Sequence, residues 1–305
     1  MNLSKIAIQI LNYKNVKVII NTLNSLNQFT NQKLEVFILD NGSGYKIFSK
    51  LHSSINFSNL DVKLFKSSKN LGFSGGHNYL TKQILKNNFS YDFFLLLNSD
   101  CILEKDFFKK LSQSKQLLCK ETLVFGFSTY SKQSLKYSHS FGFWNKFTGL
   151  SSYENFIKKT SLKYGIYYPS GNAMLLNKSF YKKIGYLDED LFFYGEEVDI
   201  AMRLDLNNYK FQVLKHIRTY HNDGASIFRR GENRTFFSDY YSVRSRLLLI
   251  YKYFPNNILI AKFFALLVFI KRLSGRHFMN AFIILKLVFS NYKKLLLMRY
   301  KYSRH

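Results

Sequence analysis

Four apolar runs, each closed by polar or turn-forming residues, set the strongest limit on how this chain folds: KIAIQIL (5–11), LEVFILD (34–40), DVKLFKS (61–67) and DFFLLLN (92–98). Segments with helical spacing, such as Val16 to Leu26 and Asn78 to Asn87, lie between them. Strands alternating with helices predict an α/β fold, a mostly parallel sheet flanked by helices. The last run is almost uninterruptedly apolar, which suits a strand covered on both faces. The runs end in Asn12-Tyr13, Asp40-Asn41-Gly42-Ser43, Ser67-Ser68-Lys69-Asn70 and Asn98-Ser99-Asp100. In an open sheet of this kind the ligand crevice lies beyond the carboxyl ends of the strands, so these polar ends are expected to converge there.

Further along, HSFGFWNKFTG (139–149) suggests strands of a smaller mixed sheet, and 168–209 reads as a strand around Ala173 to Leu176, a helix near Lys178 to Ile184 and a second helix opened by GEEVDIAMRLDL. A last strand, KFQVLKHIRTYH, ends on His221. After Tyr240 the character changes. Asp239 is the last acidic residue, and thirteen Lys and Arg follow it, half of the net charge of +26. The runs NNILIAKFFALLVFIKRL and FMNAFIILKLVF are shorter than the ~20 residues needed to span a bilayer, and Lys262 and Lys286 interrupt them. Such a region is expected to form helices lying in the headgroup layer of an anionic leaflet, the alternatives being a helical cap on the main domain and a hairpin through the membrane. The division expected is 1–238 for the main domain and 239–305 for a basic, apolar, membrane-associating helical extension.

With 305 residues, 47% of them hydrophobic, the chain has ample material for a large core, and a folded chain is expected, not a disordered one. An excess of +26 calls for an anionic partner. Nucleic acid is disfavoured, because there is no helix-turn-helix, zinc or RNA-binding signature and the basic excess is interleaved with long aliphatic runs. Cys101 and Cys119 lack metal-ligand spacing, and a reducing, cytoplasmic setting is expected. The start, MNLSKIAIQILNY, reads as a first strand rather than a signal peptide.

Taken in order, LDNGSG (39–44), NLGFSGGHN (70–78), LLLNSDCIL (95–103), FFYGEEVDIAMRL (192–204) and YHNDGAS (220–226) resemble the family 2 glycosyltransferases of GT-A, Rossmann-like fold, particularly their rhamnosyltransferase-like branch. The resemblance runs from about Lys5 to Pro255. It implies that NSD takes the part of an Asp-X-Asp motif, with Asp100 a metal ligand and Asn98, where the family is usually acidic, bonding the ribose or a metal-bound water. His221 matches a histidine that completes the metal site. Hard oxygens and phosphate suit Mg²⁺ or Mn²⁺, and the imidazole tips the preference towards Mn²⁺.

GEEVDI falls at the family's acidic motif. There Glu197 matches the catalytic base, with Glu in place of the usual Asp and with Glu196 and Asp199 as rivals. Asp40 matches the residue that bonds the donor's pyrimidine, with Asn12 as a wall of the same pocket. The glycines Gly75 and Gly76 would admit the nucleotide to the backbone, with Asn70 and Asn78 holding that loop. Arg244, in DYYSVRSRLLLIYKYFP, would clamp the leaving diphosphate. Gly171 and Asp199 would border the acceptor.

The activity implied is inverting, metal-dependent transfer from a nucleotide-sugar, dTDP-rhamnose first and a UDP-sugar second. The acceptor would be a saccharide or a polyprenyl-diphosphate-linked saccharide, in surface polysaccharide synthesis at the inner face of the cytoplasmic membrane. Two alternatives stand beside it: a basic nucleic-acid-binding protein, and a catalytically inactive member acting as a membrane scaffold.

Overall fold

The structure, a computed structural model, describes residues 5–30, 33–86, 91–154, 162–221 and 236–299. Its first half is β1 (Ile6–Asn12), α1 (Val16–Asn27), β2 (Leu34–Asn41), α2 (Tyr45–Ser54), β3 (Leu60–Ser67), α3 (Gly72–Lys86) and β4 (Phe93–Leu97). The strands pair in the order β3-β2-β1-β4, all parallel. Successive side chains of a strand point to opposite faces, and both faces are apolar here. Phe93, Leu95 and Leu97 join the core under α1, with Ile19, Leu23 and Leu26. Phe94 and Leu96 join the opposite core, with Leu80 and Ile84 of α3. This is why the run before Asn98 has no polar gap. Parallel register also sets the polar ends level, Asn12 opposite Asp40 and Asn41 opposite Ser67.

The sheet continues through β5 (Cys101–Leu103), α4 (Phe107–Gln113), β6 (Thr122–Ser131), β7 (Tyr137–His139), β8 (Phe141–Asn145), β9 (Ser151–Tyr153), β10 (Gly165–Pro169), β11 (Ala173–Asn177), α5 (Ser179–Lys183), α6 (Glu196–Leu206) and β12 (Lys210–His221). β11 runs antiparallel to β4, and β6, β12 and β5 complete the order. Pairing of β12 with β5 puts His221 opposite Cys101, beside Asp100. The aromatic strands β8, β9 and β10 form a separate sheet that is antiparallel throughout, not mixed.

Among the described residues four α-helices follow: α7 (Phe236–Tyr253), α8 (Ile258–Ser274), α9 (Phe278–Val288) and α10 (Tyr292–Leu297). Residues 238 and 239, where the sequence suggests a boundary, are consecutive in α7. The apolar face of that helix shares one core with Trp144, Phe192, Val198 and Met202. α7 is therefore packed into the main fold, and α8 and α9 pack against it in turn.

Candidate active site

At the carboxyl ends of β1, β2 and β4 opens a pocket of about 390 Å³, lined by Tyr13, Asn41, Asn70, Asn98, Asp100 and Phe193 among others. Its wall is built by asparagines. The Asn41 Nδ2 donates to Asn70 Oδ1 (3.2 Å) and to the Gly72 carbonyl (3.0 Å), while its Oδ1 accepts from the Leu71 amide (2.9 Å). Asn70 Oδ1 also accepts from the Gly72 amide at 2.9 Å. Beside this wall, Asn12 Nδ2 donates to Asp40 Oδ1 at 2.9 Å, and both residues are buried. The second oxygen of Asp40 and the amide oxygen of Asn12 have no partner, and both residues, fully buried, lie behind the pocket-lining Tyr13 and Asn41 and not in the lining itself. His77 lines the pocket floor, its Nδ1 3.1 Å from Gln9 Oε1, and burial lowers its pKa to about 3, which keeps it neutral.

The β4 run stops on polar atoms because three backbone and side-chain tasks meet there. The Asn98 amide donates to the Asn172 carbonyl at 3.0 Å, and the Ser99 carbonyl accepts from Thr22 Oγ1 at 2.6 Å. Asp100 Oδ1 lies 3.0 Å from His221 Nε2, and Asn98 Nδ2 lies 3.5 Å from the same nitrogen. Asp100 Oδ2 is buried without a partner. One carboxylate oxygen left over beside an imidazole fits a divalent cation that takes its remaining ligands from phosphate and water. Among the described residues no group of three or more His, Cys, Asp or Glu side chains could hold a metal alone. The NDGAS portion of the last motif, 222–226, lies outside the described residues.

Glu196 and Glu197 open α6 after a turn in which Tyr194 and Gly195 both take left-handed backbone, φ 66° and 86°. Acids in a first helical turn are ordinarily favoured in their charged form by the helix dipole. Here burial outweighs it. Burial raises the Glu197 pKa to about 7 against the opposing pull of the helix N-terminal amide. Glu196 is pushed well above the usual carboxylate range, by burial first and then by the charges of Glu197 and Asp199. A Cβ on Gly171 would lie 1.9 Å from Glu197 Oε1, so only glycine leaves that carboxylate its place. Asn172, next in the chain, is the residue bonded to Asn98. Through 171 and 172 the base candidate and the Asp100–His221 pair come to the same end of the sheet.

Other expected site residues are placed differently. Arg244 is fully buried, its Nε donating to the Leu295 carbonyl (2.9 Å) and its Nη1 to the Asp190 carbonyl (2.7 Å), so it ties α7 to α10 instead of reaching a diphosphate. Asp199 is enclosed by Arg203 Nε (2.8 Å), Lys252 Nζ (2.7 Å) and the Tyr253 hydroxyl (2.5 Å), which leaves no oxygen for an acceptor or a proton. Asn78 commits its amide to the Leu187 backbone, giving to the carbonyl and accepting from the amide at 2.9 Å each, and also donates to Glu189. Gly75 and Gly76 belong to α3, which starts at Gly72 and not at Asn78. A Cβ on Gly76 would meet Leu11 Cδ1 at 2.7 Å, so it serves close helix-to-sheet packing. Asn41 and Asn172 are the site residues that sequence reasoning passed over. Asn41 was signalled only by its position after Asp40, and Asn172 only by its place beside Gly171.

This sheet, its polar strand ends and the pocket they enclose have the form of a GT-A fold. The chain belongs to the Glycosyl transferase family 2, whose sequence profile matches residues 7–185, more than half its length. No curated protein sequence matches it. Among solved structures, GalNAc-T7 with UDP, GalNAc and Mn²⁺ superposes with a TM-score of 0.57 at 18% identity, covering 80% of this chain and 48% of that one. TarS 1-349 from S. aureus does so with a TM-score of 0.53 at 17% identity, covering 98% and 87%. The mannosyltransferase PcManGT from Pyrobaculum calidifontis, with GDP-Man and Mn²⁺, gives 0.52 at 9%, covering 97% and 84%. The chain thus spans about half the length of GalNAc-T7. At these identities the likeness establishes the fold.

Proposed function

We propose that the chain is an inverting, metal-dependent glycosyltransferase that uses a nucleotide-sugar, dTDP-rhamnose or a UDP-sugar, and a saccharide or polyprenyl-diphosphate-linked acceptor in surface polysaccharide synthesis. The observation that carries this reading is the pocket-lining Asp100, whose buried Oδ2 is left without a partner while its Oδ1 lies 3.0 Å from His221 Nε2; the Glu197 carboxylate against Gly171, next to the Asn172 that bonds Asn98, supports it. Two of the similar solved structures hold a nucleotide or nucleotide-sugar with Mn²⁺, GalNAc-T7 with UDP and PcManGT with GDP-Man, which supports this choice of donor class and cation.

Asp100 and His221 would hold Mn²⁺ or Mg²⁺, which when bound neutralises diphosphate charge as the sugar leaves. Asp40 and Asn12 supply acceptors for the donor's base, and the wall of Asn41 and Asn70 borders the nucleotide. Glu197 removes the proton from the acceptor hydroxyl. That oxygen bonds to the anomeric carbon from the face opposite the leaving group, the bond from carbon to phosphate oxygen breaks, and the nucleoside diphosphate departs with the electron pair. A pKa near the working pH makes Glu197 a competent base and, afterwards, a neutral acid. An acceptor on a polyprenyl diphosphate would bring the enzyme to the inner face of the cytoplasmic membrane.

The test is donor hydrolysis across dTDP-, UDP- and GDP-sugars, with and without Mn²⁺. Hydrolysis of one class, dependent on Mn²⁺ and absent in Asp100→Ala, is expected. No hydrolysis of any donor, or hydrolysis indifferent to metal, would overturn the reading.

A further inference from the structure

Away from the site, α8 and α9 leave large apolar side chains in solvent. Leu259, Phe263, Leu267 and Ile270 of α8 and Phe278 and Phe282 of α9 are exposed, Phe263 at 56% and Phe282 at 65%. At 3.6 residues per turn the four on α8 fall within an arc of about 80°. The opposite faces are anchored. Ala261 and Ala265 are completely buried, Arg272 donates from Nε and Nη2 to Asp239 of α7 (2.6 and 3.0 Å), and Asn280 of α9 donates to the same carboxylate (2.7 Å). Both inner faces therefore turn towards α7, and both apolar stripes turn outwards.

The charge carried by α8, α9 and the turn between them has one sign. No acidic residue follows Asp239, and that carboxylate is already taken by Arg272. Lys271 and Arg276 are exposed at the turn between the helices, and Lys286 is half-buried on α9, an arrangement in which long basic side chains keep their ammonium or guanidinium heads at an aqueous boundary. A second copy of this chain would bring the same cations face to face. An anionic lipid surface complements them, and no helix among the described residues is long and apolar enough to cross a membrane.

We propose that α8 and α9 form an in-plane docking face for anionic phospholipid, their apolar stripes entering the acyl boundary and their cations meeting the headgroups. This deepens the membrane location proposed above and rests on none of the donor chemistry. α7 links the face to the site: Ser245 Oγ donates to the Phe193 carbonyl (3.0 Å) and the Tyr194 and Ser238 hydroxyls bond (3.0 Å), in the turn that presents Glu196 and Glu197. Docking would hold that turn at a fixed orientation to the bilayer.

The experiment is co-sedimentation of the full chain with phosphatidylcholine vesicles, pure or with about a third phosphatidylglycerol. Binding to the anionic vesicles, at least tenfold weaker to neutral ones and weakened by salt, is expected. Phe263→Ser combined with Phe282→Ser should weaken binding by roughly a hundredfold, one factor of ten per buried ring. Its thermal melt and its vesicle-free donor hydrolysis should stay unchanged. Lys271→Glu with Arg276→Glu should remove the preference for anionic lipid. Equal or absent binding to both vesicle types, undiminished binding by the double serine variant, or a stable dimer that this variant dissociates would each overturn the proposal. Failure of vesicle binding with intact hydrolysis would leave the catalytic reading standing.

Discussion

Replacing Glu197 by Gln separates catalysis from stability, because the feature that suits this residue to chemistry is a cost to folding. The ordinary glutamate value is 4.5 and burial raises it here to about 7. Below pH 4.5 the side chain is neutral in both folded and unfolded chains and nothing is lost. As pH rises from 4.5 to 7 the unfolded chain releases its proton first, so the folded state grows relatively less stable. Above 7 the full penalty applies, at most about 3 kcal/mol from a shift of this size. Glu197→Gln removes that penalty and relieves Glu196 of its neighbour's charge, which after burial is the larger of the remaining causes of that residue's raised pKa. At pH 8 the variant should melt roughly 5 °C above the parent, and the two should converge at pH 4. Transfer should fall at least about a hundredfold, the usual contribution of a positioned base, while Glu197→Asp keeps part of it. Parent activity should climb with pH through about 7 as the base loses its proton. The assay is calorimetry across pH paired with coupled detection of nucleoside diphosphate release. Identical melting at pH 8, or full transfer by the glutamine variant, would refute the reasoning.

Asp100→Ala should abolish the Mn²⁺-dependent part of donor hydrolysis while leaving the melting temperature within a few degrees, read by a metal titration of activity. Gly171→Ala places a Cβ where Glu197 Oε1 now lies, so transfer should fall by roughly tenfold or more with donor affinity unchanged, measured as kcat against KM. Asp199→Ala strips the shared partner from Arg203, Lys252 and Tyr253. Its expected effect is a loss of about 3 kcal/mol in urea unfolding, the scale for breaking a buried ion pair, with kcat per folded molecule close to the parent's. Asp239→Ala should loosen α8 and α9 from α7 by a similar amount, seen as faster amide hydrogen exchange in those two helices.

Strands and their polar ends were legible because a strand buried on both faces admits no polar residue until it leaves the sheet, as Phe93 to Leu97 does before Asn98. Motif order singled out Asp100, His221, Glu197 and Gly171, far apart in sequence, and in the fold His221 meets Asp100 and Gly171 meets Glu197. Contacts made only by folding were not legible. The glycines of α3 read as a loop, since nothing local reveals that Leu11 presses on Gly76. Arg244 read as an anion clamp because its type suits phosphate, yet α7 turns it towards the Leu295 and Asp190 carbonyls. Asp199 lies two residues beyond Glu197 on the same helix, and its helical angle points it at Lys252 and Tyr253 of a helix some fifty residues later. The apolar runs of the tail are short in the sequence, and among the described residues no helix is long and apolar enough to cross a membrane, while the burial of α7 in the main core depended on Phe192 and Val198, which no pattern in the tail discloses.

The most direct measurement is anomalous diffraction from crystals grown with Mn²⁺ and a nucleoside diphosphate. The account predicts a manganese peak within bonding distance, about 2–2.3 Å, of Asp100 and His221, with the diphosphate between that peak and Glu197 and the base against Asp40. A nucleotide lodged elsewhere, or manganese absent from Asp100 while the nucleotide is bound, would contradict it.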